Sequence, residues 1–379
     1  MSAREQCLRS IFSTLKNNNK TKQSGMNQPG FFDLIARTKK LTEMGDPLVA
    51  LNEQINWEEF RSNLAIIHEK ERKSNPGAKP FDVILMFKIL VLQQLNNLSD
   101  DRIEYQIRDR ISFMRFLGLG FEDRIPDSKT VWLFRELLKE FKLIEGLFAR
   151  FHQQLAHRGY VAKAGQMIDA TFVEVPRQRN NREENLQVKA GETPAEWKKE
   201  ENKSMLQQKD LDARWTKKNE QSYYGYKNHI NADQSHKLIQ AYKVTTASLH
   251  DSQVFEELLD HEIDEKTGKK RAVSADSAYR SEEKEAALVV VNIESRISEK
   301  GSRNRPLTAE QKASNTEKSR VRSRVEHIFG AQAHMGHHFV RTIGILRASL
   351  KIGMMNLVYN MVRLGQLIKR DRITASAVT

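Results

Sequence analysis

Three acidic side chains stand in settings that could support metal chemistry: Asp169 in Met-Ile-Asp-Ala-Thr, Asp276 in Val-Ser-Ala-Asp-Ser, and Glu326 in Arg-Val-Glu-His-Ile-Phe. The first two fall on apolar, strand-like segments, where an unpaired charge is costly to bury. The third falls on a helix rimmed by arginines. Brought together, three carboxylates form an all-oxygen cage suited to Mg2+ or Mn2+. Each also has an ordinary reading. Asp169 could sit on a half-exposed strand face, although Asp is depleted in strands and its same-face neighbours Met167, Val173 and Val175 are apolar. Asp276 could be a turn residue, although it closes a strand, where α/β folds place ligand-binding groups. Glu326 could simply pair with Arg322 one helical turn back, worth about 0.3–0.5 kcal/mol.

The elements that must position these acids follow from the patterning. Gln166 to Val175 alternates as a strand. Tyr223–Ile230 and Leu238–Thr246 alternate around Asn231-Ala232-Asp233-Gln234-Ser235 and read as a hairpin. An amphipathic helix carrying Val254, Leu258 and Leu259 follows. Next come a short strand from Ala272 to Asp276, a helix beginning near Ser281, a strand over Val289–Ile293 and the basic helix with Glu326. A mixed sheet flanked by helices is the economical architecture. Between the first strand and the hairpin lies a polar segment, Pro176–Gln221, of the kind that is disordered or functional when it interrupts a domain. Trp197 and Trp215 within it either anchor that segment or stack on unpaired bases.

Upstream, Gly30 to Phe151 reads as helical almost throughout. Pro80 sits at a helix start, Ser99-Asp100-Asp101 caps the next helix, and Pro126-Asp127-Ser128 opens a third. Their faces carry Arg102, Arg108, Arg110, Lys129 and Arg135. That suits a helix-turn-helix DNA reader and equally an ordinary small helical domain. Met1–Asn27 is polar with one apolar stripe (Leu8, Ile11, Phe12, Leu15), a marginal helix. The chain closes with an amphipathic helix through Met354, Leu357, Val358, Met361, Leu364 and Ile368. The boundaries this implies are a tail at 1–29, a helical domain at 30–155, an α/β domain at 160–345 with its insertion at 176–221, and a C-terminal helix and tail at 346–379.

The 379 residues allow two or three domains, and a formal charge of +13 points to a polyanionic partner. One cysteine, Cys7, rules out an intramolecular disulfide and a cysteine zinc cluster. The N-terminus leads into no signal-peptide core. The most apolar stretch, Val83–Leu95, is interrupted by Lys88 and too short to span a bilayer. A soluble, cytoplasmic protein is expected.

Five ordered blocks carry a resemblance. They are Met-Ile-Asp-Ala-Thr-Phe-Val-Glu-Val-Pro from Met167, Asp-Leu-Asp-Ala-Arg-Trp-Thr-Lys-Lys from Asp210, Tyr-Gly-Tyr-Lys-Asn-His from Tyr224, Ala-Val-Ser-Ala-Asp-Ser-Ala-Tyr-Arg from Ala272, and Val-Arg-Ser-Arg-Val-Glu-His-Ile-Phe-Gly from Val321. With Leu-Ser-Asp-Asp from Leu98, the sequence resembles a DDE transposase of the bacterial insertion sequence five family over roughly Gly30 to Leu364. The resemblance implies a ribonuclease H-like α/β catalytic domain beside an all-α N-terminal domain. Asp169 would lie on the first strand, Asp276 just after the fourth and Glu326 on a following helix, together holding two Mg2+ or Mn2+ ions. Two such metals, about 4 Å apart, serve the attacking and leaving oxygens of a phosphodiester, so one site can cut and then join DNA.

By the same resemblance Lys227, His229, Tyr279, Arg322 and Arg324 would contact DNA, and binding would weaken steeply with salt. End specificity would come from the helical domain. Two ends held together imply at least a dimer on DNA, with the C-terminal helix as a contact. The sequence departs from the family pattern at two places: Ala333 stands where a lysine follows the glutamate block, and Ser319 where a tyrosine precedes it. His327, His334, His337 and His338 cluster nearby as phosphate contacts, surface residues or, less simply, a zinc site. The rival readings are a DNA-binding protein of transposase origin that has lost catalysis, and a structure-selective nuclease on the same fold.

Overall fold

Asp82, Ser99 and Asp127 each open a helix by accepting backbone N–H bonds from the first turn, which satisfies donors that a helix start leaves orphaned. The first of these helices therefore begins at Val83, three residues beyond Pro80. The computed structural model describes residues 31–69, 79–160, 165–218, 220–261, 272–301 and 306–376; the apolar stripe from Leu8 to Leu15 lies outside them. Helix α1 (Phe31–Glu43) belongs to a unit of its own. The second unit, from Pro47 onward, opens with α2 (Pro47–Gln54), α3 (Arg61–Ala65), α4 (Val83–Leu95), α5 (Asp100–Asp109), α6 (Ile111–Leu117), α7 (Ser128–Glu140) and α8 (Leu143–His157).

The sheet follows. Strand β1 (Gln166–Glu174) pairs antiparallel with β3 (Gln221–Asp233), with Asp169 opposite Ile230. Strand β3 pairs antiparallel with β2 (Arg214–Lys218) and with β4 (Ile239–Thr246). On the other side of β1, the two-residue β5 (Val273–Ser274) runs parallel to it, and a single parallel bridge joins Val273 to Ser295. The order β4-β3-β1-β5, with an antiparallel meander followed by parallel pairing, is the ribonuclease H-like arrangement. Gly225 sits where β1, β2 and β3 crowd: its φ of +147° suits glycine, and a Cβ there would collide with the Val173 carbonyl.

Two expectations change. The strand foreseen at Val289–Ile293 does not form: Val289 and Val290 end helix α12 (Glu282–Val290) and are exposed, and the edge strand is reduced to the Ser295 bridge. The capped start at Ser281 and three glutamates in the first turn favour helix over the β-branched run at its end. The described residues of the polar segment 176–221 are folded, against its disordered reading. They form α9 (Arg182–Lys189, with an Asn181/Glu184 capping box), the short α10 (Lys203–Leu206) and β2. Trp197 is buried, its indole N–H bonded to Glu184 of the same segment, so it packs the segment against itself; Trp215 is half-exposed beneath Arg177.

One face of the sheet meets the helices. Val173, Tyr226 and Ile230 share a core with α4, α7, α8 and the long C-terminal helix α15 (Ile345–Ser376), whose Met354, Leu357, Val358, Met361 and Leu364 are buried as the stripe predicts. Asn228 and Asn356 exchange two hydrogen bonds across that contact. The opposite face, through Ile168, packs on α11 (Phe255–Leu258), α12 and Tyr279. Helices α13 (Ala309–Arg322) and α14 (Arg324–Gln332) complete the fold. Among the described residues, no helix is long and apolar enough to cross a membrane.

Candidate active site

β1 outruns β5: their pairing ends at Met167–Ser274, two residues before Asp169. The chain leaving β5 turns sharply, with Asp276 at the head of a one-turn 3-10 segment, Ser277–Tyr279. Asp169 on β1 and Asp276 just after β5 are therefore brought to the same end of this strand pair, the place where α/β sheets bind ligands. Their charges feel each other. Burial pushes the Asp169 carboxyl above its ordinary range and the Asp276 charge adds to that, opposed by the Ala170 N–H, Arg322 and Lys218. Asp169 Oδ1 accepts from Ala170 N at 2.8 Å, and Oδ2 faces Arg322 Nη1 at 3.3 Å. The Ser277 hydroxyl donates to Asp276 Oδ1 at 3.0 Å.

Glu326 is not gathered with them. The helix expected to carry it breaks at Ser323, where α13 ends and α14 begins, and Glu326 lies exposed on the first turn of α14. Arg322, foreseen as its partner, turns inward to Asp169 instead. Its Nε is buried with no hydrogen-bond partner, so that side chain is only partly satisfied. Among the described residues no three His, Cys, Asp or Glu side chains come close enough to hold one metal ion. The Asp169–Asp276 pair nevertheless fits a hard divalent cation in kind, because the desolvated Asp169 carboxyl, with a second carboxylate charge nearby, is stabilised by a shared positive charge.

The residues expected to touch DNA divide by depth. Arg324 is exposed, bonding the Gln234 carbonyl at 3.3 Å, and Arg322 is partly exposed. Lys227, His229 and Tyr279 are instead buried, so as placed they present no charge to a phosphate. The reason is strand parity: residues 227 and 229 point to the α11–α12 face of β3, which is covered. Lys227 Nζ donates to the Leu249 carbonyl and to Asp251, both at 2.7 Å. His229 bonds the Thr245 hydroxyl at 2.8 Å; burial, helped by Lys227 and opposed by Asp251, pulls its pKa down to about 4, leaving the imidazole neutral. The Tyr279 hydroxyl has no hydrogen-bond partner, and burial with the charges of Asp169, Asp251 and Asp276 pushes it upward. Asp251, which sequence reasoning missed, thus holds Lys227 on the covered face of β3. Its only local signal was a charge inside Leu-His-Asp-Ser at the end of a strand.

The four histidines make no helical pair. A 3-10 turn, Ala333–Met335, and the left-handed Gly336 interrupt the run, so His334 and His338 do not share a helix face. His337 is buried and drawn down to about 4 by burial and by its neighbour His338, whose ring lies 3.6 Å away.

Comparison with known proteins adds two domain matches and one solved structure. The family described as "Transposase DDE domain" matches residues 162–361, more than half of the chain, and that described as "Transposase domain (DUF772)" matches residues 36–137. A cryo-EM structure of a piggyBac transposase synaptic complex with hairpin DNA is similar at 14% identity and a TM-score of 0.43, over 86% of this chain and 76% of that one.

Proposed function

Since the chain belongs to the transposase DDE domain family, we propose that it binds the inverted-repeat ends of an insertion sequence, cleaves DNA there and transfers the freed strand to a target. The observation that carries this reading is that Asp169 and Asp276 stand at the same end of the β1–β5 pair, close enough for the Asp276 charge to raise the Asp169 carboxyl. The five sequence blocks support placing it in the insertion sequence five branch. The same family and the net charge of +13 support DNA as the partner and the cytoplasm as the place of action.

In this reading Asp169 and Asp276 would hold Mg2+ or Mn2+, and Glu326, exposed on α14 and apart from them as placed, would join as the third carboxylate once α14 turns it toward them. Bound divalent ions supply Lewis acidity to the phosphodiester and acidity to a coordinated water. Asp169, desolvated and beside a like charge, favours a cation over remaining ionised alone. Arg322 exchanges its weak contact with Asp169 for a non-bridging phosphate oxygen, where a planar guanidinium binds two oxygens at once. Arg324 meets an adjacent phosphate from the surface. Lys227, Asp251, His229 and Tyr279 form the wall that fixes the β1–β5 notch, acting by position and by excluding water. Two copies are expected to pair two ends.

The test is cleavage and binding of a duplex ending in the terminal repeat that borders this gene. Asp276→Asn is expected to bind that duplex as the wild type does while losing strand cleavage by at least about a thousandfold. Cleavage by the variant at the wild-type rate would remove Asp276 from the site.

A further inference from the structure

A cleft of about 570 Å3 opens between the end of α4, the first turn of α5, the segment His338–Arg341 and α15. That volume lies within the roughly 300–1,000 Å3 typical of ligand sites. Its floor is apolar, through Leu90, Leu350 and Met354, and its charged lining is three cations against one acid: Arg135, Arg341 and Lys351 against Asp100. The acid is already committed. Arg135 grips Asp100 with bonds of 2.5 and 2.7 Å, and Gln93 donates to the same carboxylate at 2.7 Å. Arg341 and Lys351 form no ion pair or hydrogen bond with any described residue, and the one acid whose charge reaches Lys351, Asp100, is already bonded to Arg135, so the cleft lining keeps a net positive charge. A smaller recess of about 280 Å3 shares Arg135, Arg341 and Leu350 and adds the half-exposed Trp132.

The cleft is tied to the carboxylate notch by backbone. Glu174 N donates to the His338 carbonyl and Val340 N to the Glu174 carbonyl, both at 2.9 Å, so the cleft wall extends the sheet beside the end of β1. Glu174 is five residues from Asp169 on one strand, about 16 Å, which is the rise of about five base pairs of duplex. One DNA molecule can therefore reach both places.

We propose that this cleft is a second phosphodiester site, in which Arg341 and Lys351 hold a backbone phosphate of the same DNA that is cut at Asp169 and Asp276. The assignment rests on the transposase reading and adds to it the surface that registers the DNA away from the chemistry. Burial and the nearby Arg135 charge pull the Lys351 ammonium down to about 8, with Asp100 opposing. A phosphate would relieve that deficit of negative charge.

Binding of the labelled terminal-repeat duplex, measured by anisotropy in EDTA between 50 and 200 mM salt (about a tenfold change in affinity per phosphate pair is resolvable over this range), tests the assignment without any cleavage. Arg341→Gln and Lys351→Gln are each expected to weaken binding roughly three- to tenfold and to lower the salt slope by about one. Arg150→Gln, half-exposed on α8 and bonded to Gln153, is the control and should bind as wild type. Arg341 is exposed, so its variant has no reason to misfold, and matched thermal melting checks both. Wild-type affinity and slope in both variants overturn the cleft assignment alone. A wild-type chain that does not bind the duplex overturns the DNA reading and the cleft with it. Stabilisation by inorganic pyrophosphate that is lost in the variants, with DNA binding unchanged in all, overturns it in favour of a free phosphate ligand.

Discussion

Two aspartate–arginine pairs in this protein are built to opposite ends. Asp100 receives two bonds from the Arg135 guanidinium and one from Gln93, and these outweigh the burial that would push its carboxyl up, so it is held below the usual carboxylate range. Asp169 receives one long contact from Arg322, sits beside Asp276, and is held above that range by burial. The first pair joins α5 to α7 and is satisfied internally. The second is left short of positive charge at a strand-end notch. Bidentate geometry in one and frustration in the other separate a strut from a site.

Removing each carboxyl charge is the strongest way to break this contrast. Asp100→Asn is expected to destabilise the fold by about 2 kcal/mol, since charge-assisted bonds are lost and Arg135 remains partly buried. Asp169→Asn should leave stability unchanged or slightly raised, because it removes a desolvated charge with poor compensation. Urea midpoints of the two variants measure this, and equal losses would erase the distinction. A smaller effect comes from cations. Millimolar Mg2+ should stabilise the wild type and Asp100→Asn alike by about 1 kcal/mol in thermal melts, and should do nothing for Asp169→Asn or Asp276→Asn.

The smallest effect is in the pH dependence. Asp100 has a lowered folded pKa, so its contribution is present above the unfolded value near 4 and is lost as pH falls through the folded one. Asp169 has a raised folded pKa, so its charge costs stability at neutral pH and that cost disappears as pH falls through the folded value. Relative to its Asn variant, the wild type should therefore lose ground on acidification at position 100 and gain it at position 169. Melting temperatures from pH 7 to 3 read both signs.

Local signals were legible where a single turn or strand decides them. Ser99, Asp127 and Ser281 cap helices because a side-chain oxygen reaches an N–H two or three residues on. β1 and the β3–β4 hairpin follow from alternation, and the α15 stripe from helical spacing. The misreadings share a cause. Leu288-Val289-Val290 suits a strand by β-propensity, yet it ends a helix, as short apolar runs leave the two undecided. Segment 176–221 lacks apolar runs but is held by polar anchors: the Tyr226 hydroxyl to Asp210, Ile345 N to Asp212, and β2 against β3. Ala333, where the family pattern has a lysine, lines the basic cleft, whose charge comes instead from Arg341 and Lys351 on the segments that follow.

The sequence by itself determined the capped helices, the alternating strands β1, β3 and β4, the placement of Asp169 in a strand and Asp276 after another, and the basic balance. Only the tertiary structure decided that Asp169 meets Arg322, 153 residues away, while Glu326 faces solvent. It also decided that Lys227 and His229 are sealed inside and that two cations share a cleft without an acid to spare. Propensity and capping act within a turn or two of the chain, whereas the fate of a charge depends on which surfaces later close over it.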